Sequence, residues 1–167
     1  MKKENVRLLT MTALFAAAIS VMTAYLLHIP IPTGGYIHLG DALIYLAACL
    51  LPVPYAAAAS AIGAGLADLL TAPMWVPPTL VIKAVVVLFF TNRDERLLCR
   101  RNLAAVFAAG LFSPSAYALA GCAMAGTMAA LIPQFLGTLV QGIGSGALFI
   151  AIAPALDGVK LKERVSA

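Results

Sequence analysis

The sequence predicts an all-α integral membrane protein of six transmembrane helices with both termini in the cytoplasm. Of its 167 residues, 62% are hydrophobic and only 11% are charged, and its mean hydropathy is +0.97. A soluble domain needs a more polar surface than this composition supplies. Because crossing about 30 Å of hydrocarbon takes about 20 residues, the length allows about six spans and leaves no room for a soluble domain.

The first half of the chain contains three predicted helices. The Pro- and Gly-rich segment Ile29 to Gly40 cannot continue a helix, so we expect it to form an ordered loop. Pro52 and Pro54 are expected to force a tight reversal between the second and third helices. The three helices are predicted at about residues 8–27, 41–51 and 55–70.

The second half contains three more predicted helices. Pro77 and Pro78 suit the first turn of a helix, where a missing N–H group costs nothing. The run Asn92 to Asn102 is the only internal polar segment, and it separates the fourth helix from the fifth. These helices are predicted at about residues 77–90, 103–125 and 131–156, so residues 1–167 are expected to form a single transmembrane domain.

Lys and Arg residues cluster in three segments that a six-helix topology places on one side of the membrane. The positive-inside rule assigns this side to the cytoplasm. Only Lys83, among the eleven basic residues, lies outside the clusters. Dispersal to the helix ends also argues against a nucleic-acid-binding face. The clusters are Lys2, Lys3 and Arg7; Arg93, Arg96, Arg100 and Arg101; and Lys160, Lys162 and Arg164.

Asp41, Asp68 and Lys83 are the only charged residues inside the apolar segments. Each costs roughly 2.5 to 3.5 kcal/mol at a bilayer centre, and the predicted topology puts all three in one layer near the outer face. We expect Asp41 either to cap the second helix or to contact a ligand. Asp68 and Lys83 are expected either to pair with each other or to contact the ligand directly.

A stripe of four polar residues follows one face of the last helix, at positions i, i+4, i+7 and i+11. Such a stripe must face protein or a cavity, and it suits either hydrogen bonds between helices or contacts to a ligand. The residues are Gln134, Thr138, Gln141 and Ser145.

Aromatic and polar residues are predicted at the outer mouth. Tyr36 and His38 lie in the first loop, and Trp75 lies in the second. Two explanations fit them equally well: an aromatic belt at the membrane interface, or stacking on a flat ligand. In the first helix, Ala13 and Ala17 have the spacing that permits close helix approach. That smooth face suits either internal packing or docking of another membrane protein.

Motifs for catalysis and metal binding are missing from the sequence. It contains no Gly-x-x-x-x-Gly-Lys-Ser/Thr phosphate loop, no His-Glu-x-x-His and no Gly-x-Ser-x-Gly. We therefore expect neither ATP hydrolysis nor another enzymatic activity. Cys49, Cys99 and Cys122 stand in no ligand spacing, so neither a metal nor another cofactor is expected.

Several segments together resemble the substrate-binding S components of energy-coupling factor (ECF) vitamin transporters. The resemblance covers nearly the whole chain, with one departure at Leu51-Pro52-Val53-Pro54, where such proteins often have Gly-Pro. The matching segments are Leu39-Gly40-Asp41, Leu66-Ala67-Asp68-Leu69, Pro78-Thr79-Leu80-Val81-Ile82-Lys83, Pro133 to Leu156, and Ala13-x-x-x-Ala17.

This resemblance implies a six-helix subunit of a prokaryotic cytoplasmic membrane that binds one vitamin or precursor near the outer face. It also implies partners, namely a transmembrane T component, docked through the Ala13 and Ala17 motif, and two ATPase subunits. The similarity is closest to the riboflavin, pyrimidine and pyridoxine branch, whose ligands are flat heteroaromatics. The candidate substrate-binding residues are Tyr36, His38, Asp41, Asp68, Trp75, Thr79, Lys83, Gln134, Thr138 and Gln141.

Two other classes of function stay open at the level of sequence. A stand-alone secondary transporter would use Asp41 or Asp68 as a proton site, with Lys83 as the counter-ion. A structural membrane subunit would bind no ligand. Riboflavin is the first expected substrate, with pyridoxine or hydroxymethylpyrimidine next.

Overall fold

The computed structural model describes residues 3–26, 29–30 and 36–166, and helices make up most of it. A two-stranded antiparallel ladder and two short 3₁₀ helices, Pro73–Trp75 and Met128–Ala130, complete the described elements. The strands are β1 (Ile29–Pro30) and β2 (Tyr36–Ile37). The helices are α1 (Lys3–Ala24), α2 (Asp41–Leu50), α3 (Val53–Thr71), α4 (Val76–Val87), α5 (Arg100–Ala125), α6 (Leu131–Gly158) and α7 (Leu161–Ser166).

Four helical segments in the described part of the chain are long and apolar enough to cross a membrane: Glu4–Ala24, Val53–Thr71, Arg100–Ala125 and Met128–Gly158. Two further apolar helical segments, Asp41–Leu50 and Pro73–Val87, are shorter. At 1.5 Å per residue, α2 rises about 15 Å, which is half the thickness of the hydrocarbon core. The prediction of a helical membrane protein is therefore confirmed, while two of its helices are shorter than a full span.

Helix α2 is the central helix of the bundle. It contacts α1, α3, α4 and α6, and every one of its residues except Leu43 is buried. Apolar side chains on all sides of a helix are typical of a helix surrounded by other helices. The predicted reversal follows it, because α2 ends at Leu50 and Pro52 is the N-cap of α3.

Helices α1 and α3 approach each other closely at Gly63. A Cβ atom at this position would lie 2.6 Å from the backbone oxygen of Ala16, so only glycine permits the contact. Ala16 is buried there, whereas Ala13 and Ala17 are exposed on another side of α1. Internal packing of α1 against α3 therefore uses Ala16, and not Ala13 and Ala17, the pair identified in the sequence.

The loop after α1 contains more regular structure than predicted. In the ladder, Ile29 pairs with Ile37 and Pro30 with Tyr36, while residues 31–35 lie outside the described part. The loop ends against α1, because a Cβ atom at Gly40 would lie only 2.0 Å from the Thr23 hydroxyl oxygen. Two-residue strands have no periodic pattern, which is why the sequence did not reveal them.

The described residues of the three basic clusters meet at one end of the bundle, which we call the basic end. Arg7 donates to the backbone oxygen of Val165, and the Lys162 ammonium donates to that of Asp94. Helix α7, which the sequence analysis did not predict, lies at this end.

Two polar side chains, one buried and one half-buried, hold the polar segment between α4 and α5 against the basic end. Fully buried Asn102 donates to the backbone oxygens of Thr91 and Leu97. The Asp157 carboxylate accepts from the backbone N–H groups of Leu97 and Leu98 at 2.8 and 3.3 Å.

Candidate ligand-binding site

A half-open cavity with a volume of about 40 Å³ lies at the opposite end of the bundle, where α2, α4 and α6 begin and α3 and α5 end. Helices that alternate in direction bring these termini together. Six of the seven lining residues are among the predicted candidates, and Tyr117 is the seventh. The lining consists of His38, Asp68, Trp75, Tyr117, Gln134, Thr138 and Gln141.

Helix α6 supplies three of the lining residues from one face. Gln134, Thr138 and Gln141 are all buried, as their spacing of four and three residues predicts for one side of a helix. The Thr138 hydroxyl donates to the backbone oxygen of Gln134 at 3.0 Å, so this proton is used within the helix. Ser145, one turn further along, is buried but does not line the cavity.

Asp41 and Lys83 form a buried ion pair behind the cavity wall. The Lys83 ammonium lies 2.7 Å from one carboxylate oxygen of Asp41, and the Gln141 amide donates to the other at 3.0 Å. The prediction that Lys83 pairs with Asp68 is therefore wrong, because the carboxylate in the pair is that of Asp41. Capping by Asp41 is also wrong, because Gly40 is the N-cap and Asp41 is the first residue of α2.

Tyr117 connects the ion pair to the cavity. Its hydroxyl lies 2.7 Å from the Thr79 hydroxyl, and its ring centroid lies 5.2 Å from the Lys83 nitrogen, within the range of a cation–π interaction. Thr79 and Lys83 thus contact Tyr117, which lines the cavity, and neither lines the cavity itself. The sequence analysis missed Tyr117, although buried Ser113 one turn earlier on α5 marks the same helix face.

Trp75 forms an aromatic corner with Tyr117. The two ring centroids are 5.8 Å apart and the planes are tilted by 55°. Trp75 is only 5% exposed, yet its indole N–H has no acceptor within the part of the chain that the structure describes. A buried donor without an acceptor costs about 1–3 kcal/mol, so this N–H group favours an acceptor.

Gly121 on α5 makes room for this corner. A Cβ atom at Gly121 would lie 3.3 Å from the Trp75 ring and 3.4 Å from Gln134. A methyl group there would be tight against the Trp75 ring and in ordinary contact with Gln134. This glycine is a second contribution to the site that the sequence analysis did not identify.

The other lining candidates come from the ends of their elements. His38 follows β2, and its Nδ1 accepts from the backbone N–H of Gly40 at 3.0 Å. Asp68 is buried in the last turn of α3. Tyr36 contributes backbone pairing in β2, but its side chain lies outside the described residues. Among the described residues, no group of three His, Cys, Asp or Glu side chains has the arrangement of a metal site.

Comparison with known proteins identifies the family. A family model described as "ECF-type riboflavin transporter, S component" matches residues 3–157. The chain belongs to this family. It is also 32% identical to an uncharacterized protein from Pyrococcus woesei over 86% of this chain and 95% of the relative. The resemblance to ECF S components is confirmed, and this family is a transporter component and not an enzyme.

Family membership and the apolar helices together make the chain a multi-pass membrane protein with a substrate-binding role. The cavity lies at the end of this S component opposite the basic clusters. It is the candidate binding site for the substrate. Its lining combines two aromatic rings with amide, imidazole, hydroxyl and carboxylate groups, a composition typical of sites for small polar aromatic ligands.

Proposed function

We propose that this S component is the high-affinity binding subunit of an ECF-type importer for a small heteroaromatic vitamin or precursor. Riboflavin is the first candidate, with pyridoxine or hydroxymethylpyrimidine next. The observation that carries the proposal is the Trp75–Tyr117 corner, which offers ring faces beside a buried indole N–H without a described acceptor. A flat aromatic ring can pack against these ring faces.

The proposed contacts divide into two layers. Six predicted candidates and Tyr117 contact the ligand directly, and they are the cavity residues named above. Asp41, Thr79 and Lys83 form the frame behind them, because their polar atoms bond to Gln141, Tyr117 and each other. Tyr36 is proposed to act from the loop that precedes His38.

The proposed orientation puts the cavity on the outer side of a prokaryotic cytoplasmic membrane. The three basic clusters support it, because they meet at the other end and favour the cytoplasm. In this arrangement residues 1–167 form one domain of six spans. The two short helices, Asp41–Leu50 and Pro73–Val87, complete the bundle within the thickness set by the four long ones.

The proposed partners are a transmembrane T component and two ATPase subunits, which supply ATP hydrolysis. Ala13 and Ala17 are the proposed docking residues. Both are exposed on a helix whose packing against α3 uses Ala16 instead. Exposed Leu9, Leu14 and Val21 extend this apolar face, and small residues between them permit close approach of another helix.

Isothermal titration of the detergent-purified S component with riboflavin, pyridoxine and hydroxymethylpyrimidine tests the ligand class. We expect one of them to bind with a 1:1 stoichiometry. Replacing Trp75 by Leu should weaken that binding, whereas Leu119→Ala, on an exposed side of α5, should leave it unchanged. Absence of binding by all three compounds contradicts the proposal.

Reconstitution in proteoliposomes tests the transport role. The S component alone should bind its ligand at the membrane without accumulating it. Accumulation should require the T component, both ATPase subunits and ATP. Uptake that is driven by an ion gradient without these partners would instead identify a stand-alone secondary transporter.

A further inference from the structure

The distribution of positive charge restricts what the cavity can bind. The sequence contains eleven Lys and Arg residues, and ten of them belong to the three basic clusters. The described residues of these clusters lie at the basic end, where Arg7 contacts Val165 and Lys162 contacts Asp94. Within the described part of the chain, Lys83 is therefore the only Lys or Arg side chain at the cavity end.

The charge of Lys83 is already balanced inside the protein. Its side chain is 1% exposed, and its ammonium lies 2.7 Å from the Asp41 carboxylate. The Tyr117 ring stands over it at 5.2 Å, and Gln141 donates to the remaining Asp41 oxygen. An anionic ligand in the cavity thus meets, among the residues that the structure describes, no Lys or Arg with an uncompensated charge.

No Lys or Arg is among the described residues that line the cavity. Asp68 contributes a carboxylate, and the lining residues on α6 are amides and a hydroxyl. The His38 Nδ1 atom accepts the Gly40 N–H. Trp75 contributes an uncharged aromatic ring.

From this charge distribution we infer that the site selects neutral or cationic heteroaromatics and rejects their phosphate esters. The inference rests on the proposed function and specifies its substrate class. A phosphate ester carries about −1.5 to −2 charges at neutral pH. Moving it from water into a cavity where the described residues supply no unpaired Lys or Arg, beside a carboxylate, is strongly unfavourable.

Paired titrations test the inference. Riboflavin, pyridoxine and hydroxymethylpyrimidine are each measured against the purified S component together with their own phosphate esters. For any parent that binds, the ester should bind at least about 100-fold more weakly. An ester that binds within threefold of its parent overturns the inference and leaves the proposed function standing. Absence of binding by every compound overturns the proposed function and the inference with it.

Two charge variants separate exclusion by charge from exclusion by shape. Asp68→Asn removes the carboxylate, and Gln134→Lys adds a cation at the cavity wall, with Gln134→Met as its neutral control. The quantity measured is the Kd of the ester divided by the Kd of its parent. Each charge change should lower this ratio by about tenfold. If both variants bind the parent and neither ratio changes, shape excludes the ester, and the inference is overturned.

Discussion

The Lys83 ammonium and the Asp41 carboxylate are joined at 2.7 Å, and both side chains are at most 3% exposed. They come from α4 and α2, 42 positions apart in the sequence. An ion pair so fully removed from solvent stabilises the fold only while both partners are present. This relationship gives the first prediction.

Replacing Lys83 by Met should lower the free energy of unfolding by about 3–5 kcal/mol, because it leaves the Asp41 carboxylate buried without its partner. Adding Asp41→Asn should recover most of the loss, since the neutral amide oxygen still accepts from Gln141. Denaturation in detergent measures both. The control is Lys160→Met in the exposed pair with Glu163, where the side chains are 69% and 68% exposed and the expected loss is below about 1 kcal/mol. Equal losses in the two pairs would contradict the prediction.

Gly121→Ala should weaken ligand binding by about tenfold, because the added methyl group overpacks the site and pushes Trp75 towards the cavity. Gly110→Ala is a matched control on the same helix, since a Cβ atom there meets nothing within 4 Å. Titration of both variants with the ligand of the parent protein makes the comparison. Identical affinities for the two variants would show that Gly121 does not shape the site.

The loop that carries His38 is expected to depend on Gly40. Gly40→Ala should destabilise the protein by about 1–3 kcal/mol, the usual range for overpacking, because its Cβ atom meets the Thr23 hydroxyl. Combining it with Thr23→Ala removes that oxygen and should restore part of the stability. Thermal unfolding of the two single variants and the double variant measures the effect. A double variant no more stable than Gly40→Ala would rule out this clash as the cause.

The hydroxyls of Thr79 and Tyr117 should show a coupling energy of about 0.5–1.5 kcal/mol, as for a buried hydrogen bond between neutral groups. Thr79→Val, Tyr117→Phe and the double variant form a double-mutant cycle. Unfolding midpoints supply the free energies, and ligand titration shows whether the same bond positions the Tyr117 ring. Strict additivity of the two single losses would indicate that the bond contributes nothing.

Bulk on the proposed docking face should prevent complex formation. Ala13→Leu together with Ala17→Leu is expected to abolish co-purification with the T component, because large side chains prevent close helix approach. Ala108→Leu, at an exposed position of α5, should leave co-purification intact. If the α1 double variant still co-purifies with the T component, the docking surface lies elsewhere.

The sequence predicted features that depend on composition and periodicity. Hydropathy indicated a helical membrane protein, and the spacing of Gln134, Thr138 and Gln141 placed them on one face of α6. It named Asp68 as the carboxylate that pairs with Lys83, whereas Asp41 forms the pair; the predicted depth is the same for both and does not distinguish them. That choice depends on how the helices are rotated, and α2 contacts both α4 and α6.

Tyr117 and Gly121 escaped prediction for a different reason. In a helix of mostly apolar residues, one tyrosine and one glycine differ little from their neighbours in hydropathy. Their roles depend on what faces them across the bundle, namely Thr79, Lys83 and Trp75. The local pattern of a single sequence does not show which residues become neighbours in the folded protein.

The buried position of α2 also bears on how the protein responds to lipid. All residues of α2 except Leu43 are buried by protein, so its length of ten residues is less subject to hydrophobic mismatch with the bilayer. Tilting in thicker or thinner membranes therefore falls to the lipid-facing helices. Asp41, at the start of α2, keeps a depth fixed by protein packing, and the geometry around it is insulated from membrane thickness.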